Sequence, residues 1–112
     1  MKVLDKATEH FKSQLAGELL TIEVPEWETT VYYKSVMTFA QQQKAIQLHA
    51  KGEMVEALVE TLIARALDAD GKKMFVSADR AILLNQVDPE VITRIVTEMN
   101  NKEQQAQNNL GN

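Results

Sequence analysis

Apolar residues at Leu4, Ala7, Phe11 and Leu15 recur at three- and four-residue steps, with Lys6, Glu9, Lys12 and Ser13 between them, which predicts a short amphipathic helix. Gly17 is placed to end it as a left-handed cap. The period then shortens. Leu20, Ile22 and Val24 alternate with Thr21 and Glu23, and after Pro25-Glu26-Trp27-Glu28 comes Thr30-Val31-Tyr32-Tyr33-Lys34, rich in β-branched and aromatic residues. Two strands joined as a hairpin follow from that pattern, with Pro25, which has no amide donor, at the end of the first strand or in the turn.

Thr38-Phe39-Ala40-Gln41 has the form of a capping box and opens a predicted helix from about Phe39 to Lys51, stopped by Gly52. Met54, Val55, Leu58, Val59, Leu62, Ile63 and Ala66 trace a broad apolar face over the next helix, with Glu53, Glu56, Glu60 and Arg65 largely off it. Asp68-Ala69-Asp70-Gly71 is a turn signal, followed by the short apolar run Met74-Phe75-Val76. Ser77, with Asp79 in the first turn, predicts a short helix over roughly Ala78 to Leu84. Asp88-Pro89-Glu90 is a stronger start, and Val91, Ile92, Ile95, Val96 and Met99 form the apolar face behind it. From Asn100 the chain is amide-rich with only Leu110 to bury, which predicts a disordered or weakly helical tail. The expected fold is α+β, mainly α: an N-terminal β-hairpin packed on four to five helices, with one domain over 1–99 and a polar tail over 100–112.

Composition narrows the function classes. The 112 residues suit a single core, and 45% hydrophobic with 25% charged residues is ordinary for a globular domain. Lys and Arg number 12 against 16 Asp and Glu, a net charge of -4, and no basic cluster stands out, so nucleic acid is not an expected partner. The absence of Cys removes disulfides, thiolate metal sites and Cys nucleophiles. The N-terminus becomes charged before any apolar run of signal length, and no segment reaches a membrane span of about 18 apolar residues, so a cytoplasmic protein without membrane contact is expected.

Candidate chemistry is sparse. His10 and His49 lack a second ligand at i+3 or i+4. Asp68, Asp70 and Asp79 stand at the first, third and twelfth positions of a calcium-like loop, but Lys72 and Lys73 replace its fifth ligand and its Gly. Glu18, Glu23, Glu26 and Glu28 read as the solvated side of the hairpin region. The helices joined by Asn85-Gln86-Val87-Asp88 have helix-turn-helix spacing, but the second carries Glu90 and Glu98 against Arg94 alone, and DNA would repel it. No catalytic elbow, phosphate loop or zinc motif occurs, so no enzyme, cofactor or metal is expected.

The segment Ile22-Glu23-Val24-Pro25-Glu26-Trp27, then Thr30-Val31-Tyr32-Tyr33 and Met37-Thr38 opening a helix, resembles the tail assembly chaperones of long-tailed bacteriophages and prophages. The resemblance continues through a long apolar helix into Asp68-Ala69-Asp70-Gly71-Lys72-Lys73-Met74-Phe75 and Ser77-Ala78-Asp79, covering about Leu19 to Met99. Family members often have Gly after the Trp or Arg in the second strand, where this chain has Glu28 and Lys34. The resemblance implies a non-enzymatic chaperone in the host cytoplasm, absent from the mature virion, that binds the tape-measure protein and keeps its hydrophobic helices soluble while tail-tube protein is recruited. Many proteins of that family are also made as a frameshifted, C-terminally extended form, for which the amide-rich tail from Asn100 would serve as a linker, and a homo-oligomer is compatible with the resemblance. A structural tail-completion or head-tail connector subunit is the alternative. Helix-in-groove recognition uses apolar anchors at i, i+3, i+4 and i+7, so Ile92, Ile95, Val96 and Met99 are candidate partner contacts unless that stripe is core. Trp27 and Tyr32 are second candidates, because aromatics concentrate interface energy.

Overall fold

The computed structural model describes the backbone of residues 2–110 and the side chains of residues 2–101. Its elements, in order, are α1 (Val3–Leu15), β1 (Leu20–Val24), a 3-10 turn (Pro25–Trp27), β2 (Thr29–Tyr33), α2 (Phe39–Ala50), α3 (Met54–Arg65), a second 3-10 turn (Ser77–Asp79), α4 (Arg80–Asn85) and α5 (Pro89–Leu110). The expected α+β, mainly α architecture is the one found.

β1 and β2 pair antiparallel, with Leu20 opposite Tyr33, Ile22 opposite Val31 and Val24 opposite Thr29. That register puts Ile22, Val24, Val31 and Tyr33 on one face, and all are buried. Pro25 begins the turn, where a missing donor costs nothing. Glu28 closes it at φ 53, the left-handed region that favours glycine. A contribution invisible in the pattern comes from Leu67, just after α3. Its N–H donates to the Tyr32 carbonyl at 2.7 Å and its carbonyl accepts from the Tyr32 N–H at 2.9 Å, so the chain leaving α3 widens the hairpin by one rung.

Helix boundaries follow the caps. The Thr38 hydroxyl accepts from the Gln41 N–H while the Gln41 side chain accepts from the Thr38 N–H, and Gly52 at φ 79 ends the α2 connection. Asp88 Oδ1 accepts from the Glu90 N–H at 2.9 Å, starting α5 as expected. Gly71, at φ 81, completes the turn in which Asp68 Oδ1 accepts from the N–H groups of Asp70 and Lys72. Other expectations change. Gly17 does not adopt a left-handed cap; its N–H donates to the Gln14 carbonyl in a right-handed final turn. Ser77 opens a 3-10 turn, and Asp79, not Ser77, caps it by accepting from the Val76 N–H, which delays α4 to Arg80. The boundary expected after Met99 falls inside a continuous helix, because α5 runs to Leu110. Gly111, Asn112 and the Leu110 side chain lie outside the described residues.

The core joins the inner hairpin face to Val59, Leu62, Ile63 and Ala66 of α3, Leu83 of α4, and Val91, Ile92, Ile95, Val96 and Met99 of α5. α1 and α2 bury no residue, and Val3 and Leu4 on α1 are 82% and 72% exposed.

Glu26, in the hairpin turn, ties that turn to α5 through two hydrogen bonds from Arg94, at 2.5 and 2.9 Å. The guanidinium holds the Glu26 carboxyl down from the ordinary 4.5 to about 2. A depressed carboxylate contributes stability that is complete above its unfolded value and is lost as pH falls through the folded one. The melting-temperature advantage of the natural chain over Glu26→Gln is therefore expected in full above pH 4.5, to shrink as pH falls and to vanish near pH 2. Because both groups are exposed, salt should reduce it throughout.

Candidate functional site

The structure separates the six sequence candidates. Ile92, Ile95, Val96 and Met99 are at most 3% exposed, closed over by the hairpin and α3, so they are core and not a partner surface. The reason is geometric. The stripe is the face that α5 must bury to hold β1 and α3 together, and only Ile92, 3% exposed, borders any surface groove. Trp27 is half-buried, its ring edge-on to Phe75 with centroids 6.2 Å apart, which docks the hairpin turn on the segment leading to α4. Tyr32 is half-buried and spends its backbone on Leu67.

Exposed apolar residues lie elsewhere: Phe39 and Ile46 stand out on α2 and Val76 before α4, and a further group surrounds a groove. Val55, Leu58 and Val59 of α3, Leu84 of α4 and Pro89 and Ile92 of α5 line a shallow groove with a volume of about 60 Å³. On the same helices Met54, Val55 and Ile82 are 51%, 63% and 51% exposed. The pattern held a signal for this. The α3 apolar face is broad, and Met54 and Val55 in its first turn are left outside the core. Glu53 and Glu56 flank the groove on α3, and Asp88 and Glu90 stand at the start of α5. No Lys or Arg occurs from Gly52 to Ile63 or from Ala81 to Thr93, so the charged residues of these two stretches are all acidic.

A larger cavity of about 340 Å³ opens between α2 and α3, lined by Met37, Gln41, Gln42, His49, Thr61 and Asn100 as well as charged groups. Those charges are already engaged. Glu60, expected off the apolar face, is instead 8% exposed and accepts from Arg80 Nε, with Lys44 Nζ 3.6 Å away. Arg65, also expected outside, is 6% exposed; Nη2 donates to the Lys34 carbonyl at 2.9 Å and its guanidinium lies 5.4 Å from the Tyr33 ring centroid. Burial of Tyr33 pushes its hydroxyl above the usual phenol range, partly offset by the Arg65 cation. These buried charges fasten elements: Glu60 joins α2, α3 and α4, and Arg65 joins α3 to the end of β2. The cavity is therefore a joint held by its own side chains, and the apolar groove is the better candidate for a partner.

Removing Glu60 leaves Arg80 and Lys44 without their carboxylate. Because the Arg80 side chain is one-third exposed and regains water, Glu60→Ala should cost about 1–3 kcal/mol, below the range for a fully buried pair. Denaturant unfolding of Glu60→Ala, Arg80→Ala and the double variant checks it, with the double loss smaller than the sum of the singles.

Among the described residues no three His, Cys, Asp or Glu side chains gather to hold a metal ion, and no helix is long and apolar enough to cross a membrane. Comparison of the chain with protein-family models, curated proteins and solved structures finds no match.

Proposed function

We propose that the protein is a tail assembly chaperone of a long-tailed phage or prophage, which binds helices of the tape-measure protein, keeps them soluble and helps recruit tail-tube protein. The observation that carries this reading is the apolar groove between α3, α4 and α5, with Val55 exposed in its wall and Met54 and Ile82 exposed on the same helices. A groove of this kind accepts the apolar face of a helix, and an acidic rim keeps the empty form soluble. The order of elements that carries the resemblance is present in three dimensions: hairpin with Trp27 at its turn, capped α2, apolar α3, the Asp68–Gly71 turn, then Phe75 leading to α4.

The magnitude suits holding and release. Covering Met54, Val55 and Ile82 removes roughly 250 Å² of mainly apolar surface, worth about 6 kcal/mol at ~25 cal/mol/Å². Association costs of at least about 4 kcal/mol subtract from that, leaving each contact weak and a long client dependent on several copies. Co-expression with the tape-measure protein is the test. The client should move to the soluble fraction and co-purify with this chain, and finished particles should lack the chain by mass spectrometry. A client that stays insoluble and unbound, or stoichiometric retention in the particle, contradicts the reading.

A further inference from the structure

The cleft between α2 and α3 continues past the joint into a second cavity of about 200 Å³, with Met37, Gln41, Ala64 and Arg65 in the walls of both. Its charged lining residues are Lys34, Arg65 and Lys73, and no carboxylate stands among them, in a chain where acidic residues outnumber basic ones 16 to 12. The backbone explains why they meet. Leu67 pairs with Tyr32 on one side and with Lys73 on the other, and paired residues present their side chains on one face. Lys73 therefore shares the Tyr32 face, and Lys34 follows Tyr32 by the two-residue period of a strand. Arg65 is the fixed wall: 6% exposed, it donates from Nη2 to the Lys34 carbonyl at 2.9 Å and ties that end of the hairpin to α3.

Neither lysine is paired with a carboxylate among the described residues. Lys73 Nζ donates once, to the Ala64 carbonyl at 2.8 Å in the last turn of α3, and two of its three protons remain for another acceptor. Partial burial pushes that ammonium below the usual lysine range, with no carboxylate to offset it. Gln41 adds a neutral donor, because its Oε1 is spent on the Thr38 N–H and its Nε2 protons are left to donate.

We propose that this cavity binds a single phosphate group, held between the Lys34 and Lys73 ammonium groups with the Gln41 amide beside them. Two ammonium groups call for a dianion, and inorganic phosphate or a phosphate monoester comes close to that charge at neutral pH. A carboxylate would leave one lysine unmatched. A long polyanion would run out over a chain of net charge -4, whereas one phosphate fits a cavity of this size. The shared walls give the organic part of a monoester a path toward the larger cavity. This site has no lining residue in common with the groove between α3, α4 and α5, and it does not depend on a client being bound there.

Heteronuclear NMR of the full chain at constant ionic strength tests this, with inorganic phosphate and glycerol 1-phosphate as probes. Titration should shift the amide signals of Lys34, Leu67, Gly71 and Lys73 saturably and leave those of Val55 and Leu84, at the other groove, in place. Lys34→Ala and Lys73→Ala should each weaken binding at least about 10-fold, the loss of one charge-assisted contact, and Lys12→Ala on α1 should not change it. Lys34 holds the fold through its backbone carbonyl, so Lys34→Ala should melt like the natural chain and carries the test even if Lys73→Ala, which loses the Ala64 contact, is less stable. Tighter binding of glycerol 1-phosphate identifies a monoester as the occupant, and equal or weaker binding the free ion. No saturable shift with either probe, shifts confined to residues outside the cavity, or the same loss in Lys12→Ala as in Lys34→Ala overturns the proposal.

Discussion

Ile95→Lys is expected to abolish the cooperative fold. Ile95 is fully buried at the centre of the α5 face, in one cluster with the inner hairpin residues and with Val59, Leu62 and Ile63 of α3. Truncation to Ala would cost about 2–5 kcal/mol in lost transfer energy and cavity. Lys adds an ammonium with no carboxylate within the core to receive it, so the total rivals the 5–15 kcal/mol that holds a small domain together. Circular dichroism should lose most of its helical signal and its sharp thermal transition. Met99→Lys, at another fully buried position of the stripe, should behave alike, whereas Thr97→Lys on the exposed side of the same helix should melt like the natural chain. Retention of a folded, cooperative domain in Ile95→Lys would return the stripe to the surface and reopen it as a client site.

The second large effect is on binding with the fold intact. Val55→Glu in the groove wall combined with Ile82→Glu on α4 places two carboxylates at positions 63% and 51% exposed, where they add little strain to the core. A helix docking there would have to desolvate them next to Glu53, Glu56 and Glu90, losing two apolar contacts and meeting buried unpaired charge. Each lost contact is worth about 1–2 kcal/mol, so affinity for an amphipathic helix should fall at least about 100-fold. The melting temperature should stay within a few degrees of the natural chain.

The two expectations divide according to what a one-dimensional pattern can and cannot carry. Periodicity located the hairpin and the apolar faces of α3 and α5, because strands alternate and helices repeat every 3.6 residues whatever they pack against. Local chemistry at Thr38–Gln41, Asp88–Pro89 and Gly52 placed helix ends, because caps are satisfied within a few residues. Whether a face meets the core or a partner depends on contacts distant in sequence. The α5 stripe and the first turn of α3 look alike as text, yet Ile95 is sealed and Val55 is open. Burial of Glu60 and Arg65 was equally illegible, since it depends on Arg80, twenty residues along the chain from Glu60, and on the Lys34 carbonyl at the end of the hairpin. The bridge through Leu67 left no trace because one paired residue has no period. At Gly17 a residue type suited to a left-handed cap met a helix that ended in a right-handed turn.

The central claim is that the groove between α3, α4 and α5 receives a client helix. Titration of a fluorescently labelled amphipathic helix from the tape-measure protein, against the natural chain, the Val55→Glu/Ile82→Glu chain and a Phe39→Glu/Ile46→Glu control on exposed α2 positions, tests it directly. Saturable binding to the natural chain and the α2 control, with loss of at least about 100-fold in the groove variant, is the predicted result. Equal affinity for all three, or loss only in the α2 control, would place the client elsewhere and contradict the account.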